Sequence, residues 1–169
     1  MEITEREIKS FEERKFQSEI CFKPIGIIHS PFKSLKGIPI QPSMSDAEGI
    51  IEIFSEFSLG LKDLNGFSHI FCIYYFDMVK KSVSLQVKPF LDDKMRGVFA
   101  TRSLFRPNPI GLSVLKILKI EESKIYVKHL DILNKTPVLD IKPYVPDFDS
   151  KGEGFKIGWL HGKIKNKVS

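Results

Sequence analysis

No apolar run in this chain approaches the ~20 residues that a membrane-spanning helix requires. The opening stretch MEITEREIKSFEERKF is charged where a secretory leader would be apolar. Cysteine is scarce: only Cys21 and Cys72 occur, too few for a disulfide framework. Cys72 lies in the apolar run 70–76, where a thiol behaves as a small buried hydrophobe. The expected setting is a reducing cytoplasm. His29, His69, His129 and His161 stand far apart, with no second histidine or cysteine at ligand spacing, so no metal centre is expected. No Gly-x-Gly-x-x-Gly follows a strand, no Walker-type loop occurs and no nucleophile elbow frames a serine or cysteine. These absences argue against a Rossmann nucleotide fold, a P-loop and an elbow-type nucleophile. The chemistry is left to polar residues on loops.

What is present suits one domain. A chain of 169 residues with 42% hydrophobic content can bury a sizeable core without metal or disulfide. Its net charge of +5 is compatible with a polyanionic partner without requiring one. Acidic residues gather in the first twenty or so positions and at Asp147 and Asp149; Arg96, Arg102 and Arg106 cluster, and Lys163, Lys165 and Lys167 form a basic tail. A solvated tail is expected over 161–169.

Residues 2–17 carry helix formers with Ile8 and Phe11 on a sparse apolar face, predicting a peripheral N-terminal helix. Beyond them come short runs dense in β-branched and aromatic residues: 22–29, 49–54, 68–76, 83–87, 98–102, 112–120, 124–130 and 138–141. Glu121-Glu122-Ser123 reads as a hairpin connection, which implies antiparallel pairing. The segment 55–66, with Leu59, Leu61, Leu64 and a closing Gly66, predicts the one short internal helix. About seven short strands in one domain predict a mainly β fold, a closed antiparallel barrel, since closure removes exposed strand edges. The expected division is an extension over 1–21, a barrel over 22–148 and an appendage over 149–169.

The densest concentration of unusual residues is GVFATRSLFRPNPIGLS at 97–113. Pro107 and Pro109 withhold N–H donors and bias Arg106 and Asn108 toward extended backbone, so a stiff polar loop is expected between two strands. Two further segments set polar residues beside turn residues: Gly37-Ile38-Pro39-Ile40-Gln41-Pro42 and Leu130-Asp131-Ile132-Leu133-Asn134. The three together suggest one pocket, with Gln41 supplying donors and an acceptor and Asp131 a carboxylate. Lys142 and Tyr144 belong to a second proline-stiffened strand end, where Tyr144 either stacks on a base or packs at the barrel mouth.

PIGIIHSPF at 24–32, GIPIQP at 37–42, GLKDLNGFSHI at 60–70, PFLDD at 89–93, the arginine loop and LDILNKTPVLDIKPYVP at 130–146 together closely resemble the TrmO (TsaA-like) family. The resemblance implies a compact barrel, a homodimer and an S-adenosylmethionine-dependent methyltransferase. Its acceptor would be the N6 nitrogen of threonylcarbamoyladenosine in a tRNA anticodon loop. By matching positions, the cofactor would meet Pro39, Ile40, Gln41, Asp77, Met78, Arg102, Leu112, Leu130, Asp131, Ile132 and Leu133. Arg106, Asn108, Pro109, Lys142 and Tyr144 become candidates for the tRNA side. Asp131 is a candidate proton acceptor, and Asn108 and Tyr144 are the other candidates at the reacting centre. Two readings from other classes stand beside this one: a noncatalytic tRNA-binding barrel and an S-adenosylmethionine-binding sensor.

Overall fold

The computed structural model describes residues 18–79, 83–150 and 154–164; the expected helix over 2–17, and Lys165 and Lys167, lie outside the described residues. Among the described residues eight strands form: β1 Gly26–His29, β2 Glu48–Ile53, β3 His69–Tyr75, β4 Gln86–Val87, β5 Arg96–Gly97, β6 Ile110–Glu121, β7 Lys124–Lys128 and β8 Pro137–Pro143. Six of them close a barrel in the order β1-β2-β7-β6-β3-β8, every pair antiparallel. The barrel thus has six strands rather than about seven, because β4 and β5 pair only with each other in a separate sheet.

Alternation dictates the interior. Along β6, Gly111, Ser113 and Leu115 point inward while Leu112 and Lys116 face out; β3 opposes them with buried Ile70, Cys72 and Tyr74. Ile28, Ile51, Ile125, Val127 and Val138 complete the core from the remaining strands. Each such side chain is worth about 2 kcal/mol relative to exposure, so the barrel is the rigid part of the molecule. Gly111 is required where it stands, since a Cβ there would meet the Tyr74 ring at 2.2 Å.

The predicted hairpin joins β6 to β7, with Glu121 opposite Lys124 and Glu122 at a φ of 51°. The internal helix appears as two 3-10 pieces, Ser55–Leu61 and Leu64–Gly66. The expected strand over 98–102 is instead a 3-10 turn, Val98–Ala100, closed when Thr101 donates its N–H (3.1 Å) and its Oγ1 hydroxyl (2.8 Å) to the Val98 carbonyl. A three-residue apolar run cannot reveal its period, and here the pairing of β4 with β5 ends as Val98 donates to Leu85 O at 3.0 Å. Among the described residues no helix is long and apolar enough to cross a membrane.

Candidate active site

Three loop segments far apart in sequence are tied together beside β6 and β7. The Arg102 guanidinium donates to Gln41 Oε1, joining the arginine loop to the 37–42 segment. A 3-10 turn at Pro42–Met44 follows, and the buried Ser45 Oγ donates to Leu130 O at 2.5 Å. His129 Nδ1 donates to Ser45 O at 2.7 Å, and Leu130 N–H to Ala47 O at 3.1 Å. His129 itself takes a left-handed φ of 67°, which breaks the alternation of β7 and turns Leu130 into the core. The next residue is Asp131.

Asp131 Oδ1 accepts from Ser113 Oγ at 2.7 Å, and Tyr74 OH lies 3.3 Å from the Ser113 Oγ. With the Ser113 proton directed at an ionised carboxylate, the Tyr74 phenol donates to Ser113, giving a chain of hydroxyls that ends on Asp131. Burial pushes the Asp131 carboxyl up to about 6, against the opposing pull of Ser113 and of the Arg102 charge. Burial first, and the Asp131 charge second, raise both the Tyr74 phenol and the Cys72 thiol. Tyr74 is therefore a neutral donor, and Cys72 is no nucleophile.

This arrangement brings together Gln41, Arg102, Leu130, Asp131 and Ile132 of the predicted residues. Pro39 and Leu133 sit half-buried in the same segments and Ile40 is exposed. Leu130 and Ile132 serve mainly as core. Asp77 and Met78 follow β3 on the surface, near the loop end where Phe76 N–H donates to Pro109 O at 2.8 Å. Arg106 curls over its own loop, its Nη1 lying 3.5 Å from the Thr101 and Ser103 carbonyls, and the exposed Asn108 turns its carbonyl to Ile110 N–H at 2.7 Å. Leu112 faces outward, on the side of β6 opposite Ser113. Lys142 and Tyr144 are also on the outer surface. Lys142 pairs with Asp140 at 2.8 Å, and Tyr144 meets the Phe71 ring edge-on at 5.3 Å.

Sequence reasoning missed Ser45, Tyr74 and Ser113. Ser113 carried the one usable signal, a hydroxyl at an inward position of an otherwise apolar strand. An apolar cleft of about 420 Å³ lined by Ile25, Phe57, Leu61, Leu64 and Phe67 shares no residue with this cluster. Its one half-buried carboxylate, Asp140, is committed to Lys142, so nothing in it converges on a ligand.

Chemically, the cluster offers a guanidinium with donors to spare after its bond to Gln41, and a half-buried carboxylate oriented by Ser113. It can bind an anionic group and, a short way off, accept a proton near neutral pH. Among the described residues no group of histidine, cysteine and carboxylate side chains could hold a metal ion.

Comparisons with known proteins identify the family. The family model described as tRNA-methyltransferase O N-terminal domain matches residues 27–150. A protein of Pyrococcus abyssi, named a probable S-adenosyl-L-methionine-binding protein, is 51% identical over 146 residues, 86% of this chain and 78% of that one. The human tRNA (adenine(37)-N6)-methyltransferase is 37% identical over 136 residues, 76% of this chain but 31% of that enzyme. The crystal structure of TrmO from Pseudomonas aeruginosa superposes with a TM-score of 0.69 at 33% identity, covering 83% of this chain and 62% of that one. The chain thus spans less than two thirds of that solved structure. Family model, relatives and fold together show that this chain belongs to the tRNA-methyltransferase O (TrmO) N-terminal domain family.

Proposed function

We propose that this protein transfers a methyl group from S-adenosylmethionine to the N6 nitrogen of threonylcarbamoyladenosine at position 37 of tRNA, the position in the name of its human relative. The observation that carries the reading is the meeting of Arg102, Gln41 and Asp131 at one place, within a family whose named members bind this cofactor or methylate this adenine. The residues present fit the cofactor. Arg102 keeps guanidinium donors free for its carboxylate, while the backbone of 130–133 offers groups able to read an adenine.

When bound, the cofactor supplies a methyl group on a sulfonium, which leaves as a neutral thioether while the acceptor nitrogen forms the new bond. This chain's residues align the partners and handle the proton. Arg102, steadied by Gln41, fixes the amino-acid end. Asp131, ionised above about pH 6 and oriented by Ser113, accepts the N6 proton. Tyr74 donates into that hydroxyl chain and keeps the carboxylate pointed. Arg106, on the same loop as Arg102, is the cation available to the threonyl carboxylate, which would select against plain adenosine; Lys142 is already paired with Asp140. Asn108 and Pro109, on the loop that carries Arg102, face the splayed anticodon loop, whose bases reach a pocket at a cost of a few kcal/mol. Tyr144, bonded through its N–H to His69 O, instead stands at the other end of β3 and packs on Phe71.

A homodimer belongs to the same reading. The outer face of β3 and β6 is apolar, with Phe71, Ile73 and Val114 half-covered and Leu112 54% exposed, as an interface would leave it. Sedimentation should give the dimer mass; a monomer at micromolar concentration would remove that part.

Labelled S-adenosylmethionine, incubated with tRNA carrying or lacking the threonylcarbamoyl group, tests the whole. Transfer to the modified tRNA alone is expected, and inactivity on both would reject the enzyme reading. Retention of tRNA with no cofactor binding in calorimetry would favour the noncatalytic barrel instead.

A further inference from the structure

The segment 154–164 lies wholly beyond the family match, yet it is fastened to the turn that delivers Arg102. Trp159, the chain's single tryptophan, donates its indole N–H to Ala100 O at 2.7 Å. Ala100 is the last residue of the Val98–Ala100 turn, two positions before Arg102. The same indole lies 5.7 Å from the Arg96 guanidinium, at the start of that turn. Asp92, its side chain only 5% exposed, takes Arg96 in a two-pronged contact (2.8 Å to Nε, 2.6 Å to Nη2) and also pairs with Lys163. Lys163 therefore does not belong to a solvated tail, as its sequence context predicts. Its ammonium, together with Arg96, holds the Asp92 carboxyl well below the usual carboxylate range.

These contacts close a ring, Asp92 to Arg96 to Trp159 to Lys163 and back, around the backbone that leads into Arg102. Among the described residues Arg102 has one side-chain partner, Gln41 on another loop, so the placement of its guanidinium depends on where the turn holds its backbone. We infer that Trp159, backed by Lys163 and Asp92, is a positioning residue for Arg102. The C-terminal segment would then be part of the cofactor site without touching the ligand. The inference rests on the cofactor reading above, and on Arg102 meeting an anionic carboxylate.

Binding of S-adenosylhomocysteine and of 5′-methylthioadenosine, which lacks the amino-acid carboxylate, separates a positioning role from a merely structural one. Calorimetry on Trp159→Phe, which keeps the ring but loses the N–H donor, should show about fivefold weaker S-adenosylhomocysteine binding. Methylthioadenosine should stay within about twofold of wild type. In the Arg102→Ala background Trp159→Phe should add nothing, because the two act on one contact. Lys163→Met should repeat the pattern without altering the indole, and melting temperatures confirm that each variant is folded. Unchanged S-adenosylhomocysteine affinity in Trp159→Phe, or equal losses for both ligands, would overturn the inference and leave the cofactor reading intact. A wild-type protein that binds neither ligand would overturn both.

Discussion

The barrel and the arm over its loop cluster, residues 83–105, are held by different kinds of force. In the barrel, strands pair along their length around isoleucine, valine and leucine side chains at or near zero exposure. The arm has two strands of two residues each, and Leu85, Phe90, Met95 and Phe99 lie mostly exposed on it. Apart from the buried Val98, its shape comes from single polar contacts: Asp92 with Arg96 and Lys163, Trp159 with Ala100, and Arg102 with Gln41. Asp131 sits on the barrel side of the divide and Arg102 on the arm side. A barrel change should therefore register as lost stability, and an arm change as lost ligand affinity in a folded protein.

The largest expected effect falls on the barrel. Gly111→Ala drives a Cβ into the Tyr74 ring, with contacts of 2.2 and 2.3 Å, and should cost about 3 kcal/mol of folding stability, read by urea denaturation. Next comes Asp131→Asn, which sharpens the contrast because it should weaken catalysis while strengthening the fold. Burial raises the Asp131 carboxyl to about 6, so its ionised form costs stability above that pH, and the cost fades as pH falls toward the ordinary aspartate value. The variant should then be more stable than wild type by roughly 2 kcal/mol at pH 8, with the gain vanishing near pH 4. Arg102→Ala should weaken S-adenosylhomocysteine binding about thirtyfold while the melting temperature stays put. Asn108→Ala should act on turnover, lowering methyl transfer to tRNA about tenfold at saturating cofactor. A large melting shift in Arg102→Ala would dissolve the distinction between the two regions.

The same divide governs what could be read from the sequence. Barrel strands such as 70–74 and 112–115 announce themselves, because inward and outward residues alternate and β-branched and aromatic residues dominate. The Glu121-Glu122-Ser123 hairpin was legible for a similar local reason. Val98–Ala100 was not, since three apolar residues carry no period, and the turn is chosen by contacts to Leu85 and Trp159 from elsewhere. Of the site, Gln41, Arg102 and Asp131 stood out as polar residues amid prolines, glycines and apolar neighbours. Ser113 and Tyr74 did not: a serine and a tyrosine in a strand look like packing until the fold sets them in line with Asp131. Lys163 was misread because its partner, Asp92, lies far back along the chain.

The proton-accepting role of Asp131 is tested most directly by the single-turnover rate of methyl transfer to threonylcarbamoyl-tRNA across pH, in wild type and in Asp131→Asn. A carboxylate titrating at about 6 predicts that the wild-type rate climbs through that pH and levels above it. The variant should lose about a hundredfold at pH 8 together with the inflection. A variant that transfers methyl at close to the wild-type rate, with the same pH profile, would contradict it.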